Sequence, residues 1–517
     1  MQGKYLMAKS LIRSVSLVSS MTFISRILGF VRDLIAAQIF GVNASVDAFY
    51  IAFKIPNFMR SLFAEGAFSQ AFVPVLSDYR EKNTEAEVKK FISHMSASLG
   101  IVLLIVTFLG IIGARHLINL FSPGLDPYRY ELAQNMLRIT FPYLMLISLT
   151  AFAGSILNSY GKFAIPSFTP AMLNVCLIAT AVIMSPWLAI PVTSQAWGIL
   201  LAGFVQLFMQ VMALYRSNLL VVPRIDWQDQ NIKRVLKLII PALFGASMGQ
   251  LSILINTILA SFLVTGSVSW LYYSERLAYF PLGIFGVALA TVILPHLSRQ
   301  HAIESKAGFS AALDWGLRWN LIIGIPASLT MLLLSAPLII SLFYYGKFTL
   351  HDVLMTQRAV IAYAIGLQAF MLAKILSSAF YAKQNIRIPV KISTISLVIN
   401  ILLSILFIKS LAHAGLALSS SLASWVNVIA LGVVLQKQGI FSAQPQWGLF
   451  LLKLLFANSV LALFLWLTSH DQMIWAHWDW TQRLLHIVLI GISAMAIYLL
   501  CLFLTKAWPS ELPATAV

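Results

Sequence analysis

The feature that most constrains this chain is a series of apolar stretches that recurs from one end to the other, many of them close to the roughly 20 residues needed to span a hydrocarbon core. Inside lipid no water is available to satisfy an open backbone group, so such stretches must close their own hydrogen bonds as helices. The spans read as 15–40, 46–78, 90–119, 131–157, 167–188, 195–215, 234–264, 268–298, 310–343, 354–382, 390–410, 414–436, 447–468 and 484–506. The 517 residues are 59% hydrophobic and 10% charged, more apolar surface than a water-soluble globule can hide. The expected fold is an all-α polytopic membrane protein with about 14 transmembrane helices.

The 35 Lys and Arg against 18 Asp and Glu give a formal charge of +17. Gathered on a polar domain, that excess would suggest nucleic acid; here it is dispersed among hydrophobic segments, which excludes that partner. The loops alternate instead. The N-terminus and the segments around Arg80 to Lys90, Lys162, Arg216 to Lys237, Arg299 to Lys306, Lys383 to Lys391, Lys437 and Lys506 are basic, and the intervening set is poor in Lys and Arg. By the positive-inside rule the basic set and both termini are cytoplasmic, which requires an even number of spans. Lys4, Lys9 and Arg13 precede a first apolar segment that itself holds Arg26, Arg32 and Asp33, so a retained helix is expected rather than a cleaved signal peptide. Cys176 and Cys501 lie in apolar runs without metal or disulfide spacing and read as small hydrophobes.

Internal repetition bears on the architecture. Ala67-Phe-Ser-Gln-Ala-Phe-Val-Pro-Val-Leu-Ser77 resembles Ala288-Leu-Ala-Thr-Val-Ile-Leu-Pro-His-Leu-Ser298, and Ile165-Pro166 corresponds to Ile388-Pro389 at nearly the same separation along the chain. Two six-helix lobes of one orientation around a central cavity, followed by an extra helix pair, fit both matches and place a transport site between lobes. The expected divisions are 1–222, 223–440 and 441–517, with the longest polar stretch, Arg216 to Lys237, joining the lobes.

A charged group near the middle of a spanning helix costs roughly 2.5–3.5 kcal/mol on insertion scales. The first two spans accept that cost repeatedly, in Ser25-Arg26-Ile-Leu-Gly29-Phe-Val-Arg32-Asp33 and in a second run holding Asp47, Lys54, Pro56, Arg60 and Glu65. At 100° per residue, Asp47, Lys54 and Glu65 fall on one face of a helix. Arg60 lies off that face unless Pro56 bends the helix, and Arg26 and Arg32 stand about 120° apart unless Gly29 does the same. The eighth span adds Glu275 and Arg276. Mutually neutralising pairs would account for some of these charges, but cations exceed acids in the set. Arginine stays charged when desolvated and donates paired hydrogen bonds to phosphate, so the set reads as an anion site.

Catalytic and metal motifs are lacking: the nine histidines fall mostly at loops or helix ends, without an HExxH pattern or a histidine–carboxylate cluster, and read as solvated or interfacial. Trp475, Trp478 and Trp480 read as an interfacial belt. A membrane glycosyl- or phosphotransferase would need a polar loop with clustered acids or histidines, and none is present.

Several motifs carry a family resemblance: Ser-Arg-Ile-Leu-Gly-Phe-Val-Arg-Asp (25–33), Asp-Ala-Phe (47–49), Phe-Lys-Ile-Pro-Asn (53–57), Phe-Ala-Glu-Gly-Ala-Phe-Ser-Gln-Ala-Phe-Val-Pro (63–74), Gly-Ser-Val-Ser-Trp (266–270), Tyr345-Gly-Lys-Phe and Met355-Thr-Gln-Arg-Ala. They resemble the MurJ (MviN) family of lipid II flippases, within the multidrug/oligosaccharidyl-lipid/polysaccharide exporter superfamily, and the likeness runs through essentially the whole chain. The resemblance implies a bacterial inner-membrane flippase in peptidoglycan biosynthesis, not an enzyme. Its partner would be lipid II, the undecaprenyl-pyrophosphate-linked disaccharide-pentapeptide, among membrane lipids and other peptidoglycan-synthesis proteins. It also implies pyrophosphate binding at Arg26, Arg32, Arg60 and Arg276, and gating or coupling at Asp47, Lys54, Glu65 and Glu275 with Asp47 at the outer mouth. The last two helices resemble a pair that lines a groove for the polyprenyl tail.

Some family members hold sodium with carboxylates on helices seven and eleven. Here helix seven has no acid and helix eleven offers Asn400 but no Asp or Glu, so a sodium site of that kind is doubtful and no cofactor is expected. Coupling to membrane potential or protons stays open. The alternatives are a flippase for another polyprenyl-linked glycan, or a multidrug antiporter, which would want net acid in its cavity.

Overall fold

Each apolar stretch closes its backbone as a helix. In this computed structural model, which describes residues 2–61, 68–226, 228–443, 446–469 and 472–509, all the extended apolar stretches are helical. The first ten helices are α1 (Gln2–Phe40), α2 (Ala44–Arg60), α3 (Phe68–Lys82), α4 (Glu85–Ile112), α5 (Ala114–Phe121), α6 (Pro127–Thr140), α7 (Tyr143–Ser159), α8 (Ala164–Ala179), α9 (Thr193–Arg216) and α10 (Gln230–Ser261). The remainder are α11 (Ser267–Pro281), α12 (Val287–Ala302), α13 (Lys306–Leu333), α14 (Ser335–Phe343), α15 (Leu350–Ala382), α16 (Arg387–Lys437), α17 (Trp447–Thr468), α18 (Gln472–His477) and α19 (Trp480–Thr505). Ten helical segments among the described residues are long and apolar enough to cross a membrane. Many side chains on them, Phe108, Leu109, Leu452, Leu455 and Phe503 among them, are exposed, as lipid contact requires. The chain is a multi-span membrane protein.

Local chemistry sets the breaks. Thr84 with Glu87, and Thr349 with Asp352, form reciprocal capping boxes that start α4 and α15. Asp126 caps α6, with Pro127 in the first turn, where its missing N–H costs nothing. The second expected span contains α2 and α3 among the described residues, and the eighth contains α11 and α12 joined across a π turn at Leu282–Gly286. Pro74 lies in α3 and Pro295 in α12, the matching prolines of the repeat. The expected break at 409–414 is present inside the stretch labelled α16: Ala412 (φ 49°, ψ −130°) is non-helical, so two helices meet there at a kink.

The chain divides into two compact units, residues 1–266 and 267–517. In the first, Phe72, Phe91 and Phe152 pack together from α3, α4 and α7, and α10 lies against α3. In the second, α15 and α16 approach so closely that a Cβ at Gly366 would lie 2.6 Å from the Ser421 Cα. Lipid gives apolar helices no hydrophobic reason to associate, so close approach at small residues and polar bonds must hold them. The C-terminal pair shows this well: Trp447 of α17 donates to Asp314 of α13, and the Tyr498 hydroxyl of α19 donates to the Ile322 carbonyl at 2.7 Å.

Candidate functional site

The charges of α1 part company. α1 is helical through Gly29, so the spacing keeps Arg26 and Arg32 on different sides: Arg26 is exposed and Arg32 is buried. The Arg32 guanidinium donates to Asp33 Oδ1 at 3.0 and 2.7 Å and to Asn174 Oδ1 of α8 at 3.1 Å. Asn174 donates in turn to the Ser25 carbonyl at 3.1 Å. The expected convergence of Arg26 and Arg32 through a bend at Gly29 is therefore not what is found. Gly29 lies against α8, where a Cβ would make an ordinary contact with the Asn174 amide at 3.5 Å.

Arg60 closes α2 four residues after Pro56, which lies within the helix. Its Nε and Nη2 donate to Asn57 Oδ1 at 3.1 and 3.0 Å. Half-buried, it borders a cavity of about 470 Å³ within the first unit, among Ser25, Tyr143, Thr169, Asn174, Gln206 and Gln210. Among the described residues no carboxylate lines this cavity, and Arg60 is the one cation that does, set in a neutral hydrogen-bonding wall. Lys54 is half-buried, and Glu65 lies outside the described residues.

Asp47 is fully buried in the first turn of α2. Its Oδ2 accepts from the Gly266 N–H at 2.6 Å and faces Arg129 Nη1 at 3.7 Å, an ion-pair distance. Arg129, also buried, is shared with Asp126 and reaches the Leu263 carbonyl at 3.5 Å. Hydrogen bonding by the Arg129 backbone N–H, with help from its side chain, holds the Asp126 carboxyl below its usual range. Asp47 thus ties α2 to the start of α6 and to the end of the segment after α10.

In the second unit Arg276 is exposed on α11 and lies against Tyr272, whose hydroxyl is 3.2 Å from its Nε and 3.0 Å from its Nη2. Beside it, Glu275 accepts from the Tyr363 hydroxyl of α15 at 3.2 Å.

Arg129 and Asn174 escaped the sequence reading. Arg129 had a signal, as one of the few basic residues in a loop set poor in them; Asn174 had none. Three further readings need correction. Trp475 is not a belt residue but fully buried, and its carbonyl takes the Arg483 Nε at 3.0 Å while Arg483 also donates to Ala476 and Tyr344. His94 and His413 are not solvated: His94 Nδ1 lies 3.0 Å from Asp229 Oδ2 and His413 Nε2 lies 2.8 Å from the Met355 carbonyl.

A multi-span helical protein with a cavity that bears an arginine, and no acid among the described residues, has the makings of a membrane transporter for an anionic solute. The comparisons with known proteins are more specific. The family model described as "Lipid II flippase MurJ" matches residues 36–488. A Vibrio cholerae protein called a probable lipid II flippase MurJ is 42% identical over 517 aligned residues, covering 98% of each chain. A solved lipid II flippase MurJ in an inward closed conformation superposes with a TM-score of 0.80 at 28% identity, covering 95% of this chain and 99% of that one. An inward-facing multidrug transporter of the MATE family, in the MOP superfamily, shares the fold with a TM-score of 0.67 at 14% identity, over 82% and 97% of the two chains. The chain belongs to the MurJ lipid II flippase family.

Proposed function

We propose that this chain flips lipid II, the undecaprenyl-pyrophosphate-linked peptidoglycan precursor, from the inner to the outer leaflet of the bacterial cytoplasmic membrane by alternating access. The observation that carries the reading is a cavity that bears an arginine and, among the described residues, no acid, on a chain related nearly end to end to lipid II flippases. A pyrophosphate entering a desolvated space needs cations that stay charged, and guanidinium groups meet that need. Arg60, Arg26 and Arg276 would each offer the pyrophosphate a guanidinium. Arg32, already bonded to Asp33 and Asn174, would shape the wall.

The process is transport, with no covalent step for the protein to catalyse. Both termini are taken as cytoplasmic from the basic loops, which puts Asp47 and Arg129 at the outer end. There the Asp47–Arg129 contact would close the outer gate and its loosening would release the head group. Sodium has no place in this reading, since neither α10 nor α16 carries an acid. A multidrug antiporter would need acid where the cavity offers none. Lipid II exposure on the outer leaflet of cells relying on Arg26→Glu or Arg276→Glu tests the cationic site: the reading expects exposure to collapse at normal protein level, and normal exposure would refute it.

A further inference from the structure

The cavity beside Arg60 has more chemistry than a phosphate requires. Behind that cation the wall is built of neutral amides and hydroxyls. Gln206 Nε2 donates to the Thr169 carbonyl at 3.1 Å, and its Oε1 accepts from the Tyr143 hydroxyl at 3.4 Å. Gln210 Nε2 donates to Thr169 Oγ1 at 2.9 Å, and Thr169 passes its own proton to the Ile165 carbonyl at 2.7 Å. These bonds fix both glutamines against α8. Gln210, only 1% exposed, keeps a buried Oε1 with no hydrogen-bond partner.

Such an atom is costly to leave alone in a membrane interior, and a native site that carries one calls for a donor. The same wall would serve an anion badly: apart from Arg60 it has no cation, and an acceptor oxygen repels phosphate. It suits a ligand that is neutral, rich in hydroxyls and able both to donate and to accept. An N-acetylated sugar meets all three conditions, because its acetamide pairs reciprocally with a side-chain amide and its hydroxyls match Thr, Tyr and Gln. The volume of about 470 Å³ falls within the range of small-ligand sites.

We propose that this recess receives the N-acetylated hexosamine attached directly to the pyrophosphate, with Gln206 and Gln210 as specificity-determining residues and Arg60 holding the phosphate at its edge. The inference rests on the lipid II reading and adds a sugar subsite to it. It makes the first unit a reader of the sugar, so that undecaprenyl pyrophosphate without a sugar is a poor cargo although it carries the same pyrophosphate group.

The test is binding to the purified full chain in nanodiscs, with undecaprenyl pyrophosphate, lipid II, and lipid II lacking the acetyl group on the pyrophosphate-linked sugar. The wild-type chain is expected to favour lipid II over the other two ligands. Gln206→Met and Gln210→Met, close in size to glutamine, are expected to lose roughly tenfold for lipid II while holding undecaprenyl pyrophosphate as before. Retained binding of the bare pyrophosphate shows that each variant is folded, and the deacetylated ligand tests the subsite without any mutation. Equal affinity of the wild-type chain for acetylated and deacetylated lipid II, or an unchanged ligand ratio in both variants, would overturn the sugar subsite and leave the flippase reading standing. Binding of neither lipid II nor undecaprenyl pyrophosphate by the wild-type chain would overturn both.

Discussion

Arg129 serves two carboxylates, and that arrangement makes an asymmetric prediction. Asp47 has no exposure and Arg129 only 5%, and their charged atoms lie 3.7 Å apart. At an effective dielectric of about 20 a pair at that distance is worth about 4 kcal/mol. Breaking a buried pair from one side costs about 3–5 kcal/mol, since the partner charge stays buried. Arg129→Met deprives Asp47 of the guanidinium that faces it and should cost this full amount. Asp47→Asn leaves Arg129 with Asp126 and keeps an acceptor for the Gly266 N–H, so it should cost distinctly less. The double variant should then recover part of the Arg129→Met loss, with a coupling of about 0.5–3 kcal/mol. Unfolding midpoints of the purified protein in mild detergent, with circular dichroism as the readout, measure the cycle. A loss below about 1 kcal/mol for Arg129→Met, or additivity within about 0.5 kcal/mol, would refute the pairing.

Two further outcomes follow from particular contacts. Asp126, held below its usual range by the Arg129 N–H, contributes stability that is present above the unfolded carboxylate value of about 3.9 and lost as pH falls through its lower folded value. The difference in midpoint between wild type and Asp126→Ala should therefore hold near neutrality and shrink at strongly acid pH; a difference that grows on acidification would contradict it. Gly366→Ala must push α15 from α16, because its Cβ would meet the Ser421 Cα at 2.6 Å, and overpacking of this kind costs about 1–3 kcal/mol. Thermal unfolding should show that loss, and wild-type stability would count against the close approach.

The helices were legible because lipid leaves the backbone one solution and apolar length is visible in sequence. Their interruptions were less so. The break at Ala412 was expected between two spans, but no local residue pattern announces its backbone conformation, and nothing marked the π turn at Leu282–Gly286 that interrupts the eighth span. Among the charges, Asp47 and Arg32 were found by their cost in an apolar run. Their partners were not, because Arg129 is 82 positions from Asp47 and Asn174 is 142 positions from Arg32, separations that only the fold closes. The belt reading failed at Trp475 for a related reason. A tryptophan near a helix end reads as interfacial until Arg483 draws the carbonyls around Trp475 inward.

Transport itself is tested most directly with purified protein in vesicles carrying fluorescent lipid II in both leaflets and a membrane-impermeant reductant outside. The account predicts that the wild-type chain lets the reductant consume label beyond the outer-leaflet share, while Arg60→Glu at equal reconstitution stops at that share. Wild-type vesicles that stop where protein-free vesicles stop would contradict it.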